Sequence, residues 1–329
     1  MKEGVWSFVG IKDLCNKPDA GEVQTPFFNP LFQSALNPMT LPGEQQPADQ
    51  DSQSDEVDSS AGLLALDPLR MMNAPEVVPE TSRHATSGNG QQTVAVVTGA
   101  ARRVGREIAL AMADRCQAVV VHHGTSTVEA RVLVQRIRSQ GGHAIAVSAD
   151  LREPREAACR VFEAAAELGE VTTLINSAAV FQERALPWID PYHCNVHLSV
   201  NFLAPIFFAQ QFIRQLGEGH RGHIINILDW RAQRPGADHL IYTASKAALT
   251  AATRSLALQL APLIQVNGIA PGAILPPEDR SNWHEQRAIT SIPLRRTGSP
   301  QELVDAIHFL LNSSFITGEI LNVTGGEEL

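Results

Sequence analysis

Tyr242 and Lys246 lie four residues apart in a stretch with helical periodicity, 241–261, of this 329-residue chain. A separation of four places two side chains on one face of a helix. A tyrosine has an ordinary pKa of about 10, and a nearby ammonium stabilises the phenolate and lowers that pKa. The pair is therefore a candidate proton donor, with Tyr242 as the acid and Lys246 as the group that tunes it. The alternative is a solvated helix face.

A glycine turn follows the first apolar run of the chain. The segment Thr98–Gly105 joins that run to a helical stretch that starts at residue 103. Gly99 permits a tight turn and Gly105 permits close packing, so that the new helix directs its free N–H groups at a phosphate. We expect a dinucleotide here; the alternative is a strand–helix turn without a ligand. The candidate cofactor-binding residues of this turn are Gly99, Arg103, Val104 and Gly105.

The end of the second apolar run bears on the choice of dinucleotide. NAD is typically held there by an acidic residue on its ribose hydroxyls, and the segment 121–126, VHHGTS, contains none. A 2′-phosphate would suit Arg103, because a guanidinium pairs well with phosphate. Polar side chains of the segment would assist it: His122, Thr125 and Ser126. The prediction is NADPH, although His122 alone is equally consistent with a packed histidine at a strand end.

Two more strand ends carry candidate cofactor contacts. Asp150 follows the third apolar run, where its carboxylate could accept a hydrogen bond from an adenine amino group. The alternative for Asp150 is a helix cap before Glu153. The segment Asn176–Ala179 follows the fourth run, and its small side chains would let a nucleotide lie close to the backbone. Asn176 and Ala178 are therefore included among the cofactor-binding candidates.

Apolar runs alternate with helical stretches from residue 93 onward. The runs that predict strands are 93–98, 118–121, 144–147, 172–175, 224–228, 264–269 and 321–323. The stretches that predict helices include 103–113, 127–139, 190–216, 241–261 and 300–311. Continuous apolar strands are buried on both faces, and their alternation with helices implies a parallel sheet with right-handed crossovers. The predicted fold class is α/β, a Rossmann-like doubly wound parallel sheet that forms a single domain over 91–329.

Residues 1–90 differ from the rest of the chain in composition. They carry 13 acidic and 5 basic residues, so that almost all of the net charge of −9 lies there. The segment 43–60 has almost no apolar side chains and cannot offset an ordering entropy of about 1–2 kcal/mol per residue. We predict a largely disordered, acidic, proline-rich extension. An aromatic cluster at 27–32 and a short helix at 63–72 are exceptions that could dock on the folded body or on a partner; the alternative is an inert tail.

Composition also excludes several classes of protein. The almost neutral body argues against a nucleic-acid surface, and no apolar run reaches the roughly 18 residues of a membrane span. The four cysteines are far apart and form no CxxC pair, which argues against a metal site or a disulfide framework. The N-terminus has no signal-peptide pattern. We expect a cytoplasmic protein with a small-molecule substrate and without a nucleic-acid, membrane or metal partner.

Taken together, these motifs resemble the short-chain dehydrogenase/reductase family. The matching segments, in order and with the spacing of the family, are Thr98–Gly105, Asn176–Ala179, Asn201, Tyr242 with Lys246, and Asn267–Gly272. The resemblance covers 91–329. It implies that Lys246 also holds the nicotinamide ribose and that Asn201 supports a proton relay through water. It further implies a homo-oligomer, usually a tetramer, and a nicotinamide bordered by Pro271, Gly272 and Ile274.

Two departures from the common family pattern resemble the pteridine reductases and the dihydromonapterin reductases. Arg103 stands where most members have glycine, and Asp229 follows the fifth strand where most have serine. In that group the arginine meets the cofactor phosphates and can reach the pterin, and the aspartate works with the tyrosine to deliver protons. A carboxylate suits a ring that carries amino and N–H donors, whereas a serine hydroxyl suits a carbonyl oxygen. The alternative for Asp229 is a strand-end cap or a partner of Arg231 or Arg234.

The substrate side matches that group in part. Phe181 falls where its members stack the pterin against the nicotinamide, whereas Ala179 and Val180 stand where they often carry serines. Trp230 follows Asp229 directly and could narrow the pocket or face away from it. The span 275–292 resembles the mobile lid of the family; the alternative is a plain surface loop.

The predicted function is an NADPH-dependent reductase that transfers hydride to a C=N bond of a dihydropterin or a similar ring. Tyr242 and Asp229 would supply protons and Phe181 would stack the substrate. The first alternative is a carbonyl reductase or alcohol dehydrogenase on the same fold. The second is a non-catalytic nucleotide-binding scaffold whose extension recruits a partner, and the intact pair of Tyr242 and Lys246 argues against it.

Overall fold

The computed structural model of the protein describes residues 93–276 and 291–329. The predicted extension at 1–90, with its aromatic cluster and its helix at 63–72, lies outside the described residues, and so does most of the predicted lid at 275–292. The boundary at residue 90 therefore stays a prediction.

Strands and helices alternate along the described chain. The strands are β1 (Thr93–Thr98), β2 (Ala118–His123), β3 (His143–Ser148), β4 (Glu170–Asn176), β5 (Gly222–Ile227), β6 (Ile264–Pro271) and β7 (Ile320–Val323). The α-helices are α1 (Arg103–Arg115), α2 (Thr127–Ser139), α3 (Pro154–Ala166), α4 (Pro191–Leu198), α5 (Ala204–Gln215), α6 (Leu240–Leu260) and α7 (Pro300–Asn312). Two short 3-10 helices, Leu186–Trp188 and Trp230–Ala232, complete the elements near the site.

The seven strands form one parallel sheet in the order β3-β2-β1-β4-β5-β6-β7. The chain first moves outward from β1 to β3 and then restarts on the other side of β1 with β4. Val96 in β1 accordingly pairs with Val120 of β2 and with Leu174 of β4. This reversal opens a crevice at the carboxyl ends of β1 and β4, where open α/β sheets bind their ligands. The predicted doubly wound fold is confirmed.

Helices cover both faces of the sheet. One face packs on α1, α2 and α7 through side chains such as Ile108, Leu133 and Ile307. The other packs on α3 and α5 through Phe162 and Phe208. Most residues of the inner strands β1, β4 and β5 are buried, which explains why these strands are continuous apolar runs rather than alternating ones. Burial of these side chains is the dominant favourable term in folding.

The helical region at 190–216 is more complex than the sequence predicted. A π-helical segment, Ser199–Leu203, separates α4 from α5. Such wide turns occur frequently at functional sites, and Asn201 lies within this one. Helix α3, between β3 and β4, begins with a proline at its first position.

By length and composition, one helical stretch of the described residues, Pro191–Gln215, is apolar enough to cross a membrane. Half of its most apolar window is buried inside the fold. Core helices of water-soluble proteins pass the same test, so this stretch is weak evidence for a membrane span.

Candidate active site

The predicted acid and its partner lie at the start of α6 and face one cavity. Tyr242 and Lys246 are 5% and 2% exposed, and both line a cavity of about 880 Å³. Asp229, which follows β5, lines the same cavity. The side chains that the sequence predicted to react are therefore brought together at the carboxyl end of the sheet.

Asp229 holds the hydroxyl of Tyr242. The phenolic O–H donates to Asp229 Oδ2 at 2.7 Å, while Asp229 Oδ1 accepts the backbone N–H of Arg231 at 2.9 Å and caps the 3-10 helix that begins at Trp230. Burial, followed by the negative charge of Asp229, raises the pKa of Tyr242 well above its ordinary value. The phenol therefore keeps its proton at neutral pH. The predicted lowering of this pKa by Lys246 is not found.

Lys246 donates a hydrogen bond to the backbone of β5. Its Nζ donates to the carbonyl oxygen of Ile227 at 2.6 Å and lies 5.9 Å from the centre of the Tyr242 ring. Burial lowers the pKa of Lys246 to about 8, against the opposing attraction of Asp229. The ammonium is thus poised to lose its proton near physiological pH.

Asn201 connects the π-helical segment to the loop after β4. Its Oδ1 accepts the backbone N–H of Val180 at 2.8 Å, and its Nδ2 donates to the Val180 carbonyl and to Ser245 Oγ, each at 3.0 Å. The side chain holds this loop against α6. The predicted water relay through Asn201 stays a prediction.

The glycine turn is packed backbone against backbone. Gly99 has φ +64°, and a Cβ there would lie 2.7 Å from Ala178 Cα. A Cβ on Gly105 would lie 2.2 Å from the Gly99 carbonyl oxygen. Thr98 Oγ1 accepts the N–H groups of Ser177 and Ala178 at 3.0 and 3.1 Å. Only glycine fits these two positions. No side-chain hydrogen bond from the N-cap residue covers the N-terminus of α1, so its first N–H groups can serve a phosphate.

Asn176 takes a different role from the predicted cofactor contact. Its side chain is buried in the sheet, where Nδ2 donates to Asn226 Oδ1 at 2.8 Å. The three small residues that follow it, Ser177, Ala178 and Ala179, line the crevice instead. Of the two candidates from this segment, the structure places Ala178 at the crevice and turns the Asn176 side chain away.

His122 also differs from its predicted phosphate contact. Its Nδ1 accepts the backbone N–H of Gly99 at 3.2 Å, and its Nε2 lies 3.1 Å from the carbonyl oxygen of Ala149, to which the neutral ring donates. Burial lowers the pKa of His122 to about 4, so the ring is uncharged at neutral pH. It braces the glycine turn from within, as the alternative of a packed histidine proposed.

A second cavity, of about 930 Å³, extends the first along the strand ends. The two cavities share Arg103, Val104, Ser177 and Ala179 and so form one crevice. The second is lined by Arg102, Thr125, Ser126 and Asp150. Its three guanidiniums, those of Arg102, Arg103 and Arg152, suit an anion better than a neutral ribose, as do its hydroxyls and the N-terminus of α2. The residues present therefore fit a dinucleotide with an added phosphate.

Arg103 stands at the junction of the two cavities. Its φ of 54° lies in the left-handed region that favours glycine. The guanidinium donates to the carbonyl oxygens of Pro276 and Leu275 at 3.0 and 3.4 Å. A strained backbone at a site-lining residue is typical of a functional constraint.

Asp150 pairs with an arginine rather than capping α3. Its carboxylate lies 2.5 Å from Arg152 Nη2 and also accepts the backbone N–H of Arg152. This hydrogen-bonded pairing lowers the pKa of Asp150. The N-cap of α3 is Glu153, without a side-chain hydrogen bond. The proposed cap is wrong, and the adenine contact stays a prediction.

Aromatic rings form the substrate side of the first cavity. Phe181 is 52% exposed; its ring stacks on His239 with the centres 4.0 Å apart and meets Tyr242 edge-on at 4.6 Å. The Arg231 guanidinium lies 5.4 Å from the Trp230 ring and 5.8 Å from the Phe181 ring. Trp230 lines the cavity rather than facing away from it.

Sequence reasoning missed several residues of this cavity. His239 has a left-handed φ of 55° and lies directly before α6, and its Nδ1 is 3.0 Å from Asp238 Oδ2. Arg231 pairs with Asp238 at 3.5 Å rather than with Asp229. Glu327, after β7, lines the cavity beside the predicted Pro271, Gly272 and Ile274. No local pattern marks His239 or Asp238. The described residues contain no group of three or more side chains that could hold a metal.

Comparison with known proteins defines the class. The sequence pattern of the short chain dehydrogenase family matches residues 93–287. An uncharacterized oxidoreductase from Methylorubrum extorquens is 33% identical over 241 residues, which cover 71% of this chain and 96% of that protein. A 3-oxoacyl acyl-carrier-protein reductase from Staphylococcus aureus is 28% identical over 70% of this chain and 96% of its own length.

A solved structure shows the same relationship. FolM alternative dihydrofolate reductase 1 from Brucella canis, complexed with NADP, aligns with a TM-score of 0.66 at 32% identity over 72% of this chain and 94% of that one. The chain belongs to the short-chain dehydrogenase/reductase family and is an oxidoreductase of the class that uses a nicotinamide cofactor.

Proposed function

We propose that the protein is an NADPH-dependent reductase that acts on a C=N bond of a pteridine-type ring. The observation that carries this proposal is the hydrogen bond of 2.7 Å between the Tyr242 hydroxyl and Asp229. A carboxylate at this position can bind the amino and N–H donors of a heteroaromatic ring by charge-assisted hydrogen bonds. It offers no second donor beside Tyr242 to a carbonyl oxygen, which is the role that a serine hydroxyl suits in ketone reduction.

Each side chain has a role that follows from its contacts. The bound cofactor supplies the hydride. Tyr242, which keeps its proton because its pKa is raised, delivers that proton to the ring nitrogen of the C=N bond. Asp229 holds an N–H donor of the ring and orients the Tyr242 hydroxyl. The ammonium of Lys246 stabilises the phenolate that remains, and Phe181 packs against the ring face.

The positive charge of the second cavity supports NADPH rather than NADH. Arg102 and Arg103 line this region together with the hydroxyls of Thr125 and Ser126, and the segment 121–126 has no acidic residue. A ribose diol is usually held by a carboxylate, whereas a 2′-phosphate needs cations and N–H donors. The neutral ring of His122 contributes to this end by holding Gly99 in place.

A second candidate function is reduction of a ketone such as a 3-oxoacyl thioester. The 28% identity to 3-oxoacyl acyl-carrier-protein reductases over 70% of the chain favours it. The presence of Asp229 rather than serine after β5 argues against it. The test must therefore offer both substrate classes.

The proposed function is tested by following NADPH consumption with dihydrobiopterin, dihydromonapterin and a 3-oxoacyl thioester. We expect turnover with a pterin, and an Asp229→Ser variant with kcat/KM for the pterin lowered by about 100-fold. Asp305→Ser, which alters an exposed carboxylate on α7, serves as the control and should be unchanged. Turnover of the thioester alone, or full pterin activity in Asp229→Ser, would contradict the proposal.

Assembly and location belong to the same proposal. We expect a homotetramer in the cytoplasm, as the family resemblance implies. Light scattering of the purified chain measures the first expectation, and fractionation of cells measures the second.

A further inference from the structure

The chain turns back beneath the site directly after β7. Gly325 and Gly326 have φ of +68° and +89°, a left-handed pair that only glycine adopts readily. The Gly326 N–H donates to Thr324 Oγ1 at 3.1 Å. This turn sends Glu327 inward, where it is 6% exposed. A carboxylate is almost never buried without partners, so its contacts indicate what it does.

Glu327 packs on the loop that ends β6. Its Oε2 accepts the backbone N–H of Ala273 at 3.1 Å. One residue earlier, the Gly272 N–H donates to the Val323 carbonyl at 3.0 Å. A Cβ on Gly272 would lie 2.8 Å from Thr324 Cα and 3.0 Å from Glu327 Oε2. The two segments therefore lie in direct contact, joined by two hydrogen bonds.

The loop that Glu327 holds is part of the reaction cavity. Pro271, Gly272 and Ala273 line it together with Tyr242, and Glu327 itself lines it as well. Glu327 also lines an adjoining cavity of about 560 Å³ next to Trp230 and Arg231. The following residue, Glu328, accepts a bond at its carbonyl from Arg234 Nη1 at 3.2 Å. The segment after β7 thus ties together the loops that follow β5 and β6.

We propose that Glu327 is a positioning residue for the cofactor, acting through the Ala273 N–H to fix the loop of Pro271–Ile274. The inference rests on the proposed cofactor and extends it to a residue that no motif marks. A carboxylate suits this task because its hydrogen bond to an N–H is charge-assisted and stronger than a neutral one. Loss of the acceptor leaves a buried N–H unpaired and lets the loop move.

The test compares Glu327→Ala, which removes the acceptor, with Glu327→Gln, which keeps a side-chain carbonyl. Glu319→Ala removes an exposed carboxylate just before β7 and is the matched control. NADPH affinity is measured by fluorescence titration, and amide exchange is measured on a peptide covering 271–276 in the protein without cofactor. We expect the Kd for NADPH to rise about tenfold in Glu327→Ala, as expected for a lost charge-assisted bond.

Amide exchange in the 271–276 peptide should be faster in Glu327→Ala than in wild type. In Glu327→Gln, the Kd for NADPH and the exchange rate should both lie within about threefold of wild type. An Ala variant that binds NADPH as tightly as wild type overturns this inference alone. So does a Gln variant as impaired as the Ala variant. A wild-type protein that fails to bind NADPH overturns the proposed function, whatever the variants show.

Discussion

The two ends of the crevice are built from different parts of the polypeptide. At the glycine turn the contacts are between backbone groups: Gly99 lies against Ala178, and Thr98 and His122 hold backbone N–H groups. At the reacting end the contacts are between side chains, with the Tyr242 hydroxyl on Asp229. Tyr242 and Lys246 at the reacting end both have shifted pKa values, whereas the glycine turn acts through its backbone.

This difference separates what the family has in common from what distinguishes its members. A backbone cradle recognises phosphate through N–H groups that any sequence of the right shape provides. A reacting centre depends on the chemical type of a few side chains, and the proposed substrate class rests on one of them, Asp229. Substitutions in the glycine turn should therefore change the affinity for the cofactor, and substitutions at the reacting end should change the turnover number.

The largest effect is expected at the reacting end. Tyr242→Phe removes the proton donor and should lower kcat by about 10²–10⁴-fold, while the Kd for NADPH stays within about twofold. Tyr192→Phe is the matched control because Tyr192, the other tyrosine of the chain, is 65% exposed. Steady-state kinetics and fluorescence titration check both values. A kcat that survives in Tyr242→Phe would remove this tyrosine from the mechanism.

A backbone change should act in the opposite way. Gly99→Ala introduces a Cβ 2.7 Å from Ala178 Cα at a left-handed φ, and strain of about 3 kcal/mol corresponds to a rise of about 100-fold in the Kd for NADPH. Gly141→Ala is the control, because Gly141 also has a left-handed φ, of 89°, but no atom lies within 4 Å of the added Cβ. Equal affinities of the two variants, measured by titration, would show that the turn does not hold the cofactor.

Arg103 lines both cavities, so a substitution there tests whether cofactor binding and turnover can be changed separately. Arg103→Gly removes the guanidinium and relieves the left-handed φ of 54°. We expect the Kd for NADPH to rise about tenfold, from a lost charged hydrogen bond of about 1.5–3 kcal/mol. The free energy of unfolding, measured with urea, should not fall, because glycine favours this backbone conformation. A large loss of stability with unchanged affinity would assign Arg103 to folding instead.

The smallest effect concerns pH. The pKa of Lys246 is lowered to about 8 by burial, so its ammonium is lost as the pH rises through that value. In a profile of kcat/KM, activity should be halved near pH 8 and fall further above it. The free energy of unfolding should rise over the same range. Between pH 8 and the ordinary lysine pKa near 10.5, the unfolded chain keeps the proton that the folded chain has lost, so the cost of burying a charge disappears. A kcat/KM that stays constant up to pH 10 would show that the ionisation of Lys246 does not affect the rate.

Much of the fold and part of the site follow from local sequence. The continuous apolar runs predict strands because only buried strands lack alternation, and the spacing of Tyr242 and Lys246 predicts a common helix face. The glycines at 99 and 105 predict a tight turn for the same reason that the structure shows: no side chain fits there. These features depend on residues that are neighbours along the chain.

Tertiary structure decided the roles of residues whose partners are distant. His122 and Asn176 both lie at strand ends, but the sheet turns one toward Gly99 and the other toward Asn226. Burial raises the pKa of Tyr242, where spacing alone predicted a lower value. Glu327 meets Ala273 from 54 residues away. The sequence determined which groups are available near the crevice; packing and desolvation, which act between distant segments, decided which of them bind, react or support.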